Sequence, residues 1–516
     1  MRRALLLATL STLVLALASS PGHAATALFS LAIGYNGLPT GTRASGAGAL
    51  SFADDDALAV HELARTVARR SVVLTLPDRA TEARYPSSSE ARPPSVVELR
   101  RALAELGADI ARATRAGDEV AVWFFYSGHG WLDDDGRANL TLADGVLSPE
   151  MLYDEVLPAL PGRTVHLMID ACHAEALIRP RDVTAETVEV SASEVASASL
   201  RGRLAHLPNV GVMMASASNT QAQEWDDYQT GVFTHELLSG LRGGADVNGD
   251  GQVEYSEIAA FLAAANREVT DPRARLTTLV VAPKLYPHAA IMDTRGARNV
   301  ARLQGRAHQL GRFQIDDNRG NRLLDLRAES GFVVDVVVPA GEPVMLSNED
   351  GEATIVTPVD HTTNIEDLSL EKAHLRPRSA VVESMRRGLF AAEFGPSYYE
   401  GFVDSADRQM LPVDLPPAGV RGVAGSVPRT VHDPAAWSAF AVGAASLATS
   451  GIFAVLAARA YGDFQDTNLE RPSIAARDRY QGYGVVALGA AVVGALSGGV
   501  GYWLWNRENA GRAGRP

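Results

Sequence analysis

Two short segments carry the residue types that nucleophilic catalysis requires. Residues 126–130 read Tyr-Ser-Gly-His-Gly, and Cys172, the chain's single cysteine, lies 43 positions after His129. A thiol attacks a carbonyl as the thiolate, so it needs a nearby base such as an imidazole. The glycines on either side of His129 permit close backbone approach and leave N–H groups free for an oxyanion. We therefore predict a Cys–His pair, provided that the fold brings the two segments together.

The elements that must position this pair are predicted to form an α/β sheet over residues 26–290, because apolar runs alternate with helical periodicity. Both segments follow fully apolar runs, and functional groups of an open parallel sheet gather at the carboxyl ends of its strands. The predicted strands are 27–34, 72–76, 120–126, 163–169 and 210–215. The predicted helices of this region are 56–69, 95–116 and 257–268. Residues 179–203 show no strand period and are interpreted as a connector.

The two segments together resemble the catalytic signatures of caspase-like cysteine peptidases, and within them the bacterial metacaspase-like branch. The carriers are Tyr-Ser-Gly-His-Gly at 126–130 and Asp-Ala-Cys-His at 170–173. Similar runs are Ala-Ile-Gly at 32–34, Phe-Ala-Asp-Asp-Asp-Ala at 52–57, Ala-Ser-Ala-Ser at 215–218 and Gly-Val-Phe-Thr at 231–234. The resemblance covers about half of the chain and implies a mostly parallel sheet with helices on both faces.

The resemblance also implies roles for individual residues. Cys172 would be the nucleophile and His129 the general base, with the N–H groups of Gly130 and Cys172 holding the oxyanion. Asp170 matches the acidic residue of the metacaspase-like specificity pocket, and Asp56 is its expected second wall. A buried carboxylate there would pair with a guanidinium, which predicts cleavage after Arg, with Lys second.

Two neighbours of Cys172 do not follow the expected catalytic pattern. The family commonly has Ser-Gly after the Cys-His pair, whereas this chain has Ala-Glu. The resemblance therefore supports the catalytic pair more strongly than it supports the substrate preference. A related alternative is cleavage after Asp or Asn. His173 is predicted to be structural, because adjacent strand residues point to opposite faces.

Residues 246–257 fit a twelve-residue Ca²⁺ loop. Side-chain oxygens at positions 1, 3, 5 and 12, the carbonyl at position 7 and a turn glycine at position 6 follow the pattern, and a helix over 257–268 leaves the loop. The predicted ligands are Asp246, Asn248, Asp250, Gln252 and Glu257, with Glu254 bound directly or through water. Cysteine-peptidase chemistry itself requires no cofactor.

The remaining sequence predicts export and a membrane anchor. Residues 1–24 combine two arginines, a short apolar stretch and small residues before a cleavage point, which is typical of a signal peptide. The runs 436–458 and 482–505 contain no charged residue. At about 1.5 Å per residue, a helix formed by either run is long enough to cross a bilayer. Short alternating runs within 300–420 predict a small β domain.

The sequence therefore predicts an exported, membrane-anchored cysteine endopeptidase whose catalytic domain lies on the periplasmic or extracellular side. Arginines 179, 181, 201 and 203 are candidate autoprocessing sites. The rival from another class is a non-catalytic Ca²⁺-binding scaffold or sensor on the same fold. The expected partners are a polypeptide substrate and the membrane; the formal charge of −14 argues against nucleic acid.

Overall fold

The computed structural model describes residues 26–38, 49–133, 137–177, 203–216, 224–225, 229–269, 276–359, 362–372 and 388–404. The chain divides into two units, and the first comprises residues 23–424. All described residues belong to the first unit. The predicted signal peptide (1–24), both predicted membrane segments and nearly all of the connector 179–203 lie outside the described residues.

A six-stranded sheet organises the first part of this unit, in the spatial order β12-β8-β7-β3-β1-β2. Its strands are β1 (Ala27–Tyr35), β2 (Arg70–Leu74), β3 (Val120–Gly128), β7 (Thr164–Asp170), β8 (Val210–Ser216) and β12 (Thr277–Val281). Five strands run parallel and correspond to the five predicted ones, whereas β12 pairs antiparallel with β8 and was not predicted. The predicted mixed α/β architecture with a mostly parallel sheet is confirmed.

Helices cover both faces of this sheet, and each face has its own apolar core. The side chains of β3 alternate between them: Trp123 and Phe125 face one core, while Phe124 and Tyr126 face the other. Such two-sided burial explains why this strand has a continuous apolar sequence. The helices are α1 (Ala53–Val67), α2 (Arg79–Arg84), α3 (Val96–Arg115), α4 (Val232–Ser239), α5 (Tyr255–Asn266) and α6 (Pro396–Asp404). Short helical segments also span Pro149–Met151, Leu152–Val156, Leu157–Ala159 and Gly240–Gly244.

Smaller sheets flank the central one. A hairpin sheet comprises β4 (Gly130–Leu132), β5 (Ala138–Thr141) and β6 (Val146–Leu147). Two-stranded pairs comprise β9 (Glu224–Trp225) with β10 (Thr230–Gly231), and β11 (Gln252–Glu254) with β13 (Ala290–Asp293). The hairpin sheet begins one residue after His129, so it directly follows the first predicted catalytic segment.

Residues 300–372 form two antiparallel-rich sheets in the region expected to be a small β domain. Their strands are β14 (Val300–Arg306), β15 (Arg312–Asp317), β16 (Arg322–Arg327), β17 (Val333–Pro339), β18 (Val344–Asn348), β19 (Glu352–Val356), β20 (Thr362–Asn364) and β21 (Glu371–Lys372). One apolar core joins these sheets to α4 and α5, with Phe261 packed edge-on against Phe394 at a ring-centroid distance of 5.1 Å. The β strands and the helical face of the central sheet therefore share a core.

Among the described residues, no helix has both the length and the apolar composition needed to cross a bilayer. The two segments for which a membrane crossing is predicted, 436–458 and 482–505, lie outside the described residues.

Candidate active site

The register of β3 against β7 places the two predicted catalytic segments side by side. The strands run parallel, with Ser127 opposite Asp170 at their carboxyl ends. His129 and Cys172 each follow two residues later, just beyond the ends of these adjacent strands and at the same edge of the sheet. Both residues are partly exposed. Cys172 is therefore not enclosed in the apolar core.

The backbone of the two segments approaches closely just beyond the strand ends. A Cβ atom added to Gly130 would overlap the carbonyl oxygen of Cys172 and lie 3.3 Å from the Cβ of Ala171. Only glycine fits this contact without displacing one of the two segments. Gly128 has a φ of +154° and its added Cβ would lie 2.6 Å from the Tyr126 hydroxyl. The two glycines around His129 thus meet steric demands of this site.

The main chain of His129 is fixed by hydrogen bonds to its carbonyl oxygen. The Thr141 N–H donates to it at 2.9 Å, and the Tyr126 hydroxyl donates to it at 3.1 Å. The same hydroxyl also lies 2.8 Å from the Thr141 carbonyl oxygen. Residues on β3 and β5 therefore fix the backbone position from which the His129 imidazole extends.

The segment after Asp170 is a turn, which changes the argument made for His173. Strand β7 ends at Asp170, and His173 has a φ of +58°. The expectation that neighbouring side chains alternate between two faces therefore does not apply at this position. A positive φ is uncommon for a residue other than glycine and occurs often at functional sites.

Asp56 and Asp170, the two predicted pocket residues, lie next to each other beside Gly231. A Cβ added to Gly231 would overlap the Oδ2 atom of Asp170 and lie 2.9 Å from the Oδ2 atom of Asp56. Both side chains are buried, with relative exposures of 2% for Asp56 and 6% for Asp170. The structure thus brings together two carboxylates that are 114 positions apart in the sequence.

Hydroxyl and N–H groups hold both carboxylates in place. Asp56 accepts from the Ser127 hydroxyl at 2.7 Å, the Thr230 hydroxyl at 2.6 Å and the Gly231 N–H at 2.9 Å. Asp170 accepts from the Thr234 hydroxyl at 2.7 Å and, through the same Oδ2 atom, from its N–H at 3.2 Å. Neither Ser127 nor Thr230 was predicted to take part in this pocket. Ser127 lies within the segment 126–130 that carries the family resemblance, and Thr230 directly precedes the segment 231–234, which also carries it.

Burial and mutual repulsion make it unfavourable to ionise both carboxyl groups. Burial raises the pKa of Asp170 to about 6, and hydrogen bonds from Thr234 oppose that shift. Burial, and then the negative charge of Asp170, raise the pKa of Asp56 well above its usual value. A cation entering this site would relieve both effects, since it favours the charged form of each group.

The neighbouring acids of the first turn of α1 have different functions. Asp54 accepts from the Asn36 side chain at 2.7 Å, and Asp55 accepts from Thr81 at 3.1 Å and pairs with Arg84. All three aspartates are buried, but only Asp56 is held beside Gly231. The run of three acids therefore combines two structural anchors with one candidate pocket residue.

The predicted Ca²⁺ loop, residues 246–257, connects α4 with α5. The Asp246 carboxylate accepts from the Gly251 N–H at 2.8 Å, and the Glu257 carboxylate accepts from the Glu254 N–H at 2.9 Å. Among the described residues, no three His, Cys, Asp or Glu side chains are arranged closely enough to hold a metal ion by themselves. The carboxylates of Asp246, Asp250 and Glu257 each accept instead from an N–H group of the loop.

A cavity of about 550 Å³ lies at the opposite edge of the sheet from the predicted catalytic residues. It is lined by residues at the amino ends of β1, β3 and β7, including Leu28, Val120 and Thr164. A cavity at that edge does not contribute to the Cys–His site.

Comparison with known proteins matches residues 53–289 to the model of the caspase domain family. No curated protein matches the chain. Among solved structures, protein GSU0716 from Geobacter sulfurreducens is 19% identical, and the match covers 49% of this chain and 93% of that chain. Its TM-score is 0.29, which is too low to support a structural argument.

We expect Gly130→Ala to destabilise the protein, because the added Cβ would overlap the Cys172 carbonyl oxygen. Overpacking of this kind costs about 1–3 kcal/mol. Thermal unfolding of the full chain should show a lower Tm for Gly130→Ala. Gly296→Ala is the matched control, because a Cβ there has no neighbour within 4 Å. Equal Tm values for the two variants would contradict the close contact.

Proposed function

We propose that the protein is a cysteine endopeptidase, because residues 53–289 match the caspase domain family. Cys172 is the nucleophile and His129 is the general base. The observation that supports this assignment most directly is the β3–β7 register, which places the two residues beyond neighbouring strand ends. The partial exposure of Cys172 supports a reactive thiol rather than a structural one.

The proposed reaction proceeds through a thioester. His129 takes the proton of the Cys172 thiol, and the thiolate attacks the carbonyl carbon of the scissile peptide bond. The N–H groups of Gly130 and Cys172 stabilise the resulting oxyanion. Collapse of the tetrahedral intermediate breaks the C–N bond, and the imidazolium gives its proton to the leaving amine. Water then attacks the thioester with His129 as base, which releases the acid product and restores the thiol.

The proposed substrate carries Arg, or less favourably Lys, before the scissile bond. Asp56 and Asp170 offer two buried acidic groups at one place, and a guanidinium can bind both with charge-assisted hydrogen bonds. Cleavage after Asp is disfavoured, because a substrate carboxylate would add a third negative charge to this pocket. An Asn side chain would leave the buried pair without a neutralising charge.

The proposed enzyme is exported and anchored by the membrane segments 436–458 and 482–505, with its catalytic domain outside the cytoplasm. Support for this part comes from the sequence pattern of those segments and of residues 1–24.

Replacement of either member of the catalytic pair should abolish cleavage. We expect Cys172→Ala and His129→Ala to lower kcat/KM on an Arg-aminomethylcoumarin peptide by at least about 10³-fold, since nucleophile and base act as a unit. His206→Ala is the matched control, because His206 is an exposed histidine away from the strand ends. The full chain should be assayed, with thermal unfolding to confirm that each variant folds.

The same peptide panel separates the alternatives. Faster cleavage of an Asp- or Asn-ending peptide than of the Arg peptide would overturn the proposed specificity. Cleavage retained by Cys172→Ala would refute the assignment of the nucleophile. A folded wild type that cleaves no peptide while Cys172 resists iodoacetamide would favour the non-catalytic scaffold.

Acidification should weaken use of Arg substrates. Protonation of the Asp56–Asp170 pair removes the charge that binds the guanidinium, so we expect kcat/KM to fall about tenfold per pH unit below about pH 6, near the pKa of Asp170. Glu236 is a further buried acid whose pKa is raised, first by burial and then by the charge of Asp170. The rate of Cys172 alkylation by iodoacetamide is the control, because it reports the thiol without the pocket. A parallel acid limb in both measurements would assign the titration to the catalytic pair instead.

Autoprocessing is expected after arginines in the connector 179–203, where Arg179, Arg181, Arg201 and Arg203 are candidates. Mass spectrometry of purified wild type should find new termini after these residues, and Cys172→Ala should remain intact. The same fragments in the variant would show that another protease cuts the connector.

A further inference from the structure

The backbone of residues 246–257 already has the turn structure that an oxygen-ligand cation loop needs. The Gly251 N–H donates to Asp246 and the Asp250 N–H donates to Asn248 at 2.9 Å, so the first half of the loop folds around its own side-chain oxygens. Gly251, at position 6, has a φ of +78°. This conformation favours glycine and makes the sharp turn of such loops.

The last acidic residue of the loop indicates independently that the loop binds a cation. Glu257 has a relative exposure of 0%, and its Oε2 atom accepts from the Glu254 N–H. Its Oε1 atom is buried and has no hydrogen-bond partner within the part of the chain that the structure describes. Asp246 and Asp250 of the same loop lie close enough for their charges to act on this carboxyl group. A buried carboxylate oxygen without a donor is costly unless a cation binds it.

The nearest arginine does not bind these carboxyl groups directly. The aliphatic part of Arg295 packs against Gly251, while its Nε atom donates to Asp293 at 2.9 Å. Its guanidinium is therefore bound to a carboxylate outside the loop.

We propose that residues 246–257 bind one Ca²⁺ ion. The side chains of Asp246, Asn248, Asp250 and Glu257 and the carbonyl oxygen of Gln252 are its ligands. Glu254 completes the site directly or through water. Glu257 has two oxygens to offer, and a site with six or more oxygens suits Ca²⁺ better than Mg²⁺, which keeps several waters and demands octahedral geometry. The inference rests on the loop alone and is independent of the proposed peptidase activity.

The position of the loop gives binding a consequence for the whole unit. Helix α4 before it carries Thr234, which donates to Asp170, and Thr294 after β13 donates to the Gly251 carbonyl oxygen at 2.8 Å through its N–H. Arg302 on β14 then donates to the Thr294 carbonyl oxygen at 2.8 Å. The loop is therefore linked to strand β14 of the β region through Thr294. A ligand that binds only the folded loop stabilises the protein by mass action.

Calcium binding should be measured on the full chain carrying Cys172→Ala, so that self-cleavage cannot affect the result. Calorimetric titration with CaCl₂ should show one site, with a Kd in the range of extracellular modules at about 10⁻⁴–10⁻³ M, and MgCl₂ should bind at least about tenfold more weakly. Added Ca²⁺ should also raise the Tm.

Glu257→Gln should weaken Ca²⁺ binding at least about tenfold, because it removes the charged final ligand. Its Tm without Ca²⁺ should equal or exceed that of the parent, because the variant no longer buries an uncompensated carboxylate. Glu268→Gln is the matched control, since Glu268 is exposed just beyond α5. Absence of saturable Ca²⁺ binding by the parent, or equal affinity in the Glu257→Gln variant, would overturn the proposal. Neither outcome bears on the peptidase assignment.

Discussion

The parallel pairing of β3 with β7 is the constraint on which the rest of the candidate site depends. Its register, Ser127 opposite Asp170, determines which residues follow each strand at the same height. A shift of one residue would turn every side chain of the strand to the other face of the sheet. The register is secured because both faces of β3 are buried, with Trp123 in one core and Phe124 in the other. Hydrophobic packing thus specifies where a thiol and an imidazole emerge.

In the acidic pocket, by contrast with the apolar cores, the buried groups are polar and their burial is unfavourable. Two neighbouring carboxyl groups inside the protein repel each other when both are ionised, and burial penalises each charge. Hydrogen bonds from Ser127, Thr230, Gly231 and Thr234 offset part of that penalty. The remaining unfavourable energy is what a cationic side chain can relieve on binding. The proposed selectivity for Arg and the raised pKa values of the two carboxyl groups therefore have the same physical cause.

The β strands after residue 300 belong to the same compact unit as the central sheet. Gly243 shows how close the contact is, because its added Cβ would overlap the carbonyl oxygen of Asp335 on β17. A further link is the Ser239 hydroxyl, which lies 3.2 Å from the Asp325 N–H and accepts from it. The candidate cation loop lies beside this junction, between α4 and α5. The loop is thus continuous in sequence with the segment that follows α4, and Thr294 links it to β14.

The sequence by itself indicated the five strands and the helices over 56–69, 95–116 and 257–268, because apolar runs and helical spacing report burial directly. The mostly parallel sheet with helices on both faces was an implication of the family resemblance. It also identified the Cys–His segments and the acidic run at 54–56, since these depend on residue type and local order. The antiparallel strand β12 escaped prediction, because its pairing with β8 is a long-range contact. Only the resemblance singled out Asp56 from Asp54 and Asp55, because the different partners of these acids come from β3, β10, α2 and the residue after β1. Only the tertiary structure decided how each of the three acids is held, that His173 lies in a turn, and that the β strands share the helical core.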